Sequence, residues 1–236
     1  MGGAALGAGV TSGAHPTGGP RPIVAGSVGV FGGTFDPIHL AHLAVAQEAA
    51  EALGLERVVF VPAARPPHKP GRDITPGEHR LAMIELAIAG NDRFAVDRLE
   101  LERLGPSYTV DTLETLRASQ DAAGISSDLV LVLSAEAFRG LMTWRAPRRI
   151  VELARIVVAP RDGFPDVGPD FLAEHLPDRP DLADRATFLD SPRLRLSANE
   201  LRARVAAGRS VRYLVPDAVA AYIGDHGLYR NPRRIP

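Results

Sequence analysis

The sequence has no cysteine, which excludes disulfide bridges, thiolate metal sites and cysteine nucleophiles. It also has no uninterrupted apolar stretch long enough to span a bilayer. Basic and acidic residues nearly balance, at 27 against 28, so no general affinity for nucleic acid or for a membrane surface is indicated. We therefore expect a cytoplasmic protein that binds neither nucleic acid nor membrane.

Lysine is almost absent, because Lys69 is the only lysine among 27 basic residues. Such a lone lysine is either chance in an arginine-rich chain or the mark of a site that suits a compact ammonium group. Composition alone leaves the two interpretations open.

The ends of the chain differ from its middle. Residues 1–27 are rich in Gly, Ala, Pro, Ser and Thr and show little periodicity, so we predict a disordered tail or a misplaced start. No basic segment precedes an apolar core there, which makes a signal peptide a poor interpretation. Residues 28–230 show no linker or repeat and are predicted to form one domain, followed by a C-terminal tail at 231–236.

Short apolar runs alternate with amphipathic segments along this domain. Strands are predicted at residues 28–31, 57–61, 94–101, 128–133, 155–159 and 187–189. Helices are predicted at residues 40–53, 76–89, 109–117, 135–141, 149–153, 197–207 and 216–223. This alternation predicts an α/β fold with a doubly wound parallel sheet and helices on both faces. Residues 161–180, with many Pro, Asp and Gly, are predicted to be a surface excursion.

The most informative segment is V-F-G-G-T-F-D-P-I-H-L-A-H at residues 30–42. It runs from a predicted strand through a predicted tight turn at Gly32-Gly33 into a helix. The first N–H groups of a helix bind anions, and glycines let a phosphate approach the backbone. His39 and His42 are three residues apart and share one face of the first helical turn. Ligands in such sheets bind at the carboxyl ends of strands, where this segment lies.

This segment resembles the nucleotide motif of the adenylyltransferase superfamily, H-x-G-H. The chain is further similar to bacterial nicotinate-nucleotide adenylyltransferases over about residues 28–229. That narrower similarity rests on the following segments: P-P-H-K at 66–69, R-L-A-M-I at 80–84, G-P-S-Y-T-V-D-T-L at 105–113, S-A-N-E-L-R at 197–202 and Y-L-V-P-D-A-V at 213–219. The resemblance implies a Rossmann-like fold and transfer of the adenylyl group of ATP to nicotinate mononucleotide. The products would be nicotinate adenine dinucleotide (deamido-NAD) and pyrophosphate, in NAD biosynthesis, with Mg²⁺ carried on the ATP.

The resemblance also implies which residues bind ATP. The cradle for phosphate and adenosine would consist of Gly32, Gly33, Thr34 and Phe35. His39 would contact the outer phosphates and His42 the α-phosphate region, while Ser197 would cap a helix whose N–H groups face phosphate. The implied catalytic set is His39, His42, Lys69 and Arg202. Each of these assignments has a purely structural alternative. Gly32-Gly33 could be only a tight turn, and His39 and His42 only residues at a helix start. Lys69 could be a solvated loop residue, and Ser197 and Arg202 a helix cap and a surface arginine.

The acceptor would bind at Ser107, Tyr108 and Thr109, with Trp144 beside the same pocket. A carboxylate only accepts hydrogen bonds, so surroundings that only donate favour the acid over the amide. The alternative is that Tyr108 and Trp144 pack in the core and Thr109 caps the next helix. Arg80 either binds the acceptor or braces a loop, and Lys69 would reach a phosphate.

Three positions depart from the commonest form of the family. Ala41 replaces the glycine between the histidines, Ser197-Ala198-Asn199 replaces Ser-Ser-Thr, and Ser134-Ala135-Glu136 replaces Gly-x-Asp. We expect these changes to tune affinity rather than abolish activity. Asp36-Pro37 is predicted to set the loop and start the helix, so Asp36 stays outside the catalytic set.

Other functions remain open at this point. The acceptor could be nicotinamide mononucleotide or phosphopantetheine, or the protein could bind nucleotides without catalysis. No dedicated carboxylate cage for a metal is apparent, so Mg²⁺ would bridge phosphates and water. The sequence leaves open whether the chain forms a homo-oligomer.

Overall fold

The structure, a computed structural model, describes residues 26–66, 74–163, 167–191 and 193–230. The strands are β1 (Val28–Gly33), β2 (Arg57–Pro62), β3 (Phe94–Val96), β4 (Leu129–Ser134), β5 (Ala154–Ala159) and β6 (Ala186–Phe188). The helices are α1 (Leu40–Ala52), α2 (Gly77–Ile88), α3 (Leu99–Glu102), α4 (Thr109–Ala122), α5 (Ala135–Arg139), α6 (Pro147–Leu153), α7 (Phe171–His175), α8 (Ala198–Ala206) and α9 (Asp217–Asp225). Two 3₁₀ turns lie at Leu141–Thr143 and Pro180–Arg185.

All six strands form one parallel sheet in the order β3-β2-β1-β4-β5-β6. Both of its faces are covered, so its central strands are apolar at nearly every position. In β4, Leu129 and Leu131 join the cluster formed with α4, α5, α6 and α7, whereas Val130 and Val132 join the one formed with α1, α2, α8 and α9. The predicted doubly wound α/β fold is confirmed.

The strand order reverses at β1. From β1 the chain moves outward to β2 and β3, then returns to place β4 on the other side of β1. Loops that follow neighbouring strands on the two sides of such a point diverge and leave a crevice at the carboxyl edge of the sheet. The histidine-bearing loop follows β1 and therefore lies at this crevice.

The predicted turn at Gly32-Gly33 is wrong. Both glycines belong to β1 and pair with Val61 and Pro62 of β2. Pairing with a full-length neighbour extends the strand through the glycines, and the chain turns at residues 36–37 instead. Phe35, just before this turn, has a φ of +49°.

The predicted strand at 94–101 is too long. The β3 strand ends at Val96, and the Asp97 carboxylate accepts a hydrogen bond of 2.8 Å from the backbone N–H of Leu99. Aspartate competes with strand pairing in this way and favours a turn. The short helix α3 follows, where the sequence predicted continued strand.

The region predicted as a surface excursion also contributes to the core. Among its described residues, 161–163 and 167–180, Leu172 is fully buried and Leu176 nearly so. The helix α7 carries Leu172 into the cluster beside α5 and α6. Phe171, Leu172 and Leu176 pack on the core, but a helix of five residues is too short to show a helical period in the sequence.

The packed body begins no later than Ser27. This residue is buried, and its carbonyl accepts a 3.0 Å hydrogen bond from the N–H of Glu56. Residues 1–25 and 231–236 lie outside the described residues, so the predicted tails stay predictions. Within the part of the chain that the structure describes, no helix is long and apolar enough to cross a membrane.

Candidate active site

A stacked pair of histidines forms the centre of the loop after β1. His39 is the N-cap residue of α1, and His42 is the third residue of that helix. Their ring centroids are 3.7 Å apart with 19° between the planes, and the His39 backbone N–H donates to Nδ1 of His42 over 3.2 Å. The prediction that both histidines share one face of the first turn is confirmed.

His39 lies in an environment that disfavours charge. Its side chain is buried, and Nδ1 has no hydrogen-bond partner among the described residues. Burial, and then the positive charge of Arg161, lower the pKa of His39 from 6.5 to about 4. The imidazole is therefore neutral near neutral pH and still has an unsatisfied buried ring nitrogen.

Phe35 fixes the other histidine from the side. Its ring is buried and meets the His42 ring edge-on, with centroids 5.1 Å apart. Gly33 allows this packing, because a Cβ there would come within 2.9 Å of the Phe35 ring. The side chain of Phe35 thus belongs to the core, and only its backbone is placed to contribute to the predicted cradle.

Gly32 differs from its neighbour. It is exposed, and a Cβ built on it would meet no described protein atom within 4 Å. Protein packing therefore does not require a glycine at this position. Open space over the end of β1 fits the prediction that a phosphate approaches the backbone here.

Arg80 braces the loop from inside the protein. It is only 1% exposed, and Nε donates to the carbonyl of Thr75 while Nη1 donates to the carbonyl of Thr34, each over 2.8 Å. Both bonds direct the guanidinium towards backbone. This geometry favours the interpretation that Arg80 braces the loop. Direct contact between Arg80 and the acceptor remains a prediction.

Helix α8 brings its arginine to the same loop. Ser197 accepts a 3.2 Å hydrogen bond from the N–H of Glu200, which confirms the predicted cap. Nη1 of Arg202 donates to the Asp36 carbonyl over 2.6 Å, and Nη2 donates to Oδ1 of Asn199 over 2.5 Å. Asn199, one of the departures from the family pattern, therefore orients Arg202.

The predicted acceptor segment lies at the start of α4. The Ser107 hydroxyl accepts hydrogen bonds from the N–H groups of Ala64 and Arg65, over 2.9 and 3.3 Å. Tyr108 is the N-cap residue but makes no side-chain cap bond. The predicted helix start near Tyr108–Thr109 is confirmed, but the alternative in which Thr109 is the cap is wrong, because Thr109 is already the first residue of α4.

Two further residues border this segment. The guanidinium of Arg145 lies 4.8 Å from the centroid of the Tyr108 ring and pairs with Asp111 over 3.2 Å. Trp144 is half-buried and packs against the core cluster, as the core interpretation predicted. Its contact with a ligand stays a prediction.

Lys69 lies outside the described residues, and its predicted role is untested. The segments on either side of it are anchored at the site. Ser107 holds Ala64 and Arg65 on one side, and Arg80 holds Thr75 on the other.

No group of three or more His, Asp or Glu side chains that could hold a metal lies within the described ranges. Glu136, another departure from the family pattern, pairs with Arg161 over 3.2 Å at the carboxyl edge. Its carboxylate therefore faces a cation of the protein.

Known proteins resemble this chain over most of its length. The profile of the cytidylyltransferase-like family matches residues 30–204. Three relatives each named "Probable nicotinate-nucleotide adenylyltransferase" come from Thermomicrobium roseum, a Roseiflexus species and Thermus thermophilus. In that order, their sequences are 45%, 48% and 46% identical to this chain. Each alignment covers 86% of this chain and 92%, 98% and 99% of the respective relative. The chain belongs to the nicotinate-nucleotide adenylyltransferase family.

Solved structures of other proteins have the same fold as this member of the nicotinate-nucleotide adenylyltransferase family. The nicotinic acid mononucleotide adenylyltransferase of Plasmodium falciparum, complexed with NaAD, superposes with a TM-score of 0.68. The alignment covers 86% of this chain and 97% of that one at 16% identity. At this identity the likeness concerns the fold alone.

Sequence reasoning missed three residues of the candidate site. Asp36 stands inside the motif, and a buried carboxylate there needs partners that only the fold supplies. Arg161 follows β5 and influences His39, but no signal separates it from the other arginines. The third, Tyr229, contacts Asp36 from 193 positions away.

Proposed function

We propose that the protein transfers the adenylyl group of ATP to nicotinate mononucleotide, giving nicotinate adenine dinucleotide and pyrophosphate. The observation that carries the proposal is the stacked His39–His42 pair at the start of α1, beside the switch point of the sheet. Its position in a chain 45–48% identical to the relatives named above supports this reaction. Enzymes of this type act in NAD biosynthesis.

The reaction needs positioning and charge stabilisation rather than a protein nucleophile. A phosphate oxygen of the acceptor attacks the α-phosphorus of ATP. The bond from that phosphorus to the bridging oxygen breaks, and its electrons leave with pyrophosphate. Hydrogen-bond donors aimed at the phosphate oxygens stabilise the charge that develops on them.

His42 supplies such a donor in a defined tautomer. Its Nδ1 accepts the hydrogen bond from the His39 backbone N–H, so the neutral ring carries its proton on Nε2. The edge-on contact with Phe35 limits rotation of this ring. Nε2–H is therefore the group that we expect to donate to a phosphate oxygen.

Magnesium enters with ATP as part of the substrate. Mg²⁺ keeps several waters and usually binds through phosphates with few protein ligands. The described residues provide no carboxylate cluster for it. Phosphate oxygens and water are its expected ligands here.

The start of α4 is the proposed acceptor site. Its first N–H groups lack helical partners, and the helix dipole favours an anion at this end. The guanidinium of Arg145 lies above Tyr108 and adds N–H donors there, with Nη1 paired to Asp111. A nicotinate carboxylate gains from both, whereas the nicotinamide carboxamide would direct its own N–H donors at the same groups. We also propose that the enzyme works in the cytoplasm.

Pyrophosphate release with ATP and Mg²⁺ tests the proposal. The acceptors compared are nicotinate mononucleotide, nicotinamide mononucleotide and phosphopantetheine, each added at the same concentration to the unmutated protein (the parent). We expect strong preference for the nicotinate compound. Preference for another acceptor would contradict the specificity, and ATP binding without release from any acceptor would favour a non-catalytic nucleotide-binding protein.

A further inference from the structure

Asp36, a buried carboxylate outside the predicted catalytic set, joins three parts of the site. Its Oδ1 accepts a 2.7 Å hydrogen bond from the Tyr229 hydroxyl. Its Oδ2 accepts a 3.3 Å bond from the Thr75 N–H and lies 3.9 Å from Nη1 of Arg202. Because the side chain is only 4% exposed, these contacts take the place of water around the carboxylate.

The orientation of Arg202 depends on the same residue. Nη1 donates to the Asp36 carbonyl and Nη2 to Asn199, which uses two of the five N–H donors of a rigid plane. Fixing two donors of a planar group fixes the direction of the rest. The Asp36 carbonyl and Asn199 together fix where the remaining donors of Arg202 point, and the Asp36 carboxylate, 3.9 Å from Nη1, supports that orientation by its charge.

Tyr229 reaches Asp36 from a costly backbone conformation. Its φ is +63°, in the left-handed region that a tyrosine rarely adopts. Its ring packs against the core cluster beside α1, α2, α8 and α9. Burial, and then the Asp36 carboxylate, raise the pKa of Tyr229 above its ordinary value, so the hydroxyl stays protonated and donates. A strained backbone that positions a hydroxyl donor beside a buried carboxylate is typical of functional sites.

We propose that Tyr229 and Asp36 form a positioning pair that holds Arg202 in the orientation that binds the triphosphate of ATP. Tyr229 fixes the carboxylate, and Asp36 in turn fixes the guanidinium and the backbone of the histidine loop. Neither residue needs to touch ATP. The inference rests on the proposed function, because it takes Arg202 as a triphosphate ligand.

A double-mutant cycle on ATP affinity tests this pair. Calorimetry gives the Kd of ATP with Mg²⁺, without acceptor, for the parent, Tyr229→Phe, Arg202→Ala and the double variant. We expect Tyr229→Phe to weaken binding about fivefold in the parent and less than about twofold in the Arg202→Ala background. The reason is that the second background has already lost the group that Tyr229 positions.

Tyr222→Phe is the matched control. Its hydroxyl is bonded to Nδ1 of His79 over 2.9 Å rather than to Asp36, so the Kd should stay within about twofold of the parent. Asp36→Asn is a second test variant, because it keeps the shape of the side chain and removes its charge. We expect it to weaken ATP binding and to leave the KM of the acceptor unchanged.

Equal weakening by Tyr229→Phe in both backgrounds would overturn the proposal, since Tyr229 would then act on the fold and not through Arg202. Unchanged affinity in both Tyr229→Phe and Asp36→Asn would overturn it as well. The proposed function fails separately: a parent that binds ATP but releases no pyrophosphate with nicotinate mononucleotide would refute the acceptor. The cycle on ATP affinity would still decide the role of the pair.

Discussion

His39 should make the stability of the protein depend on pH in a direction set by its burial. The folded pKa of about 4 lies below the ordinary value of 6.5, so between these values the unfolded chain binds a proton that the folded protein does not. The free energy of unfolding therefore falls as the pH drops from 6.5 towards 4, and this contribution is fully present above 6.5. From about pH 7.5 to about pH 5 the expected loss is about 2 kcal/mol.

Urea unfolding of the ligand-free protein at these two pH values measures the effect. His39→Asn removes the titrating group, so its stability should fall by about 2 kcal/mol less than that of the parent. His175→Asn, at an exposed position on α7, is the matched control and should behave like the parent. An equal pH-dependent loss in the parent and in His39→Asn would refute the reasoning. A ring titration of His39 by NMR gives the pKa directly.

Three further predictions concern the loop after β1 and its support. Gly32→Ala should change the free energy of unfolding by less than about 0.5 kcal/mol but raise the KM for ATP, whereas Gly33→Ala should lower the free energy of unfolding by about 1–3 kcal/mol through overpacking. Urea unfolding and steady-state kinetics measure the two effects, and an unchanged KM for ATP in Gly32→Ala would contradict the proposed phosphate cradle. His42→Ala should lower turnover at least about a hundredfold, and turnover within a few-fold of the parent would remove His42 from the mechanism. Arg80→Met should lower stability by about 3 kcal/mol, because two partly buried carbonyls lose a charged donor. A melting curve like that of the parent would show that the bracing bonds contribute little.

The sheet could be predicted from the sequence because each central strand is an unbroken apolar run with helical segments on either side. The strand at 128–133 shows this, since a run such as D-L-V-L-V-L suits only a position buried on both faces. The ends of strands were less predictable. Gly32 and Gly33 have a turn composition, and only pairing with β2 keeps them in the strand.

The site was predictable where its residues are close in sequence. His39 and His42 interact through one helical turn, so their spacing alone predicts their proximity. Arg80 was ambiguous because bracing and ligand contact require the same residue type, and only its burial distinguishes them. The roles of Asp36 and Tyr229 depend on each other across most of the chain, and no local pattern reports such a pair.

The 193 positions between Asp36 and Tyr229 also bear on when the enzyme acquires its activity. A ribosome synthesises the histidine loop early and Tyr229 near the end of the described chain. Until Tyr229, which follows α9, has emerged and docked, the Asp36 carboxylate lacks its hydroxyl donor. If the pair acts as proposed, a nascent chain completes most of the sheet before it binds ATP at full affinity, and a chain that ends before Tyr229 should bind ATP more weakly than the full chain.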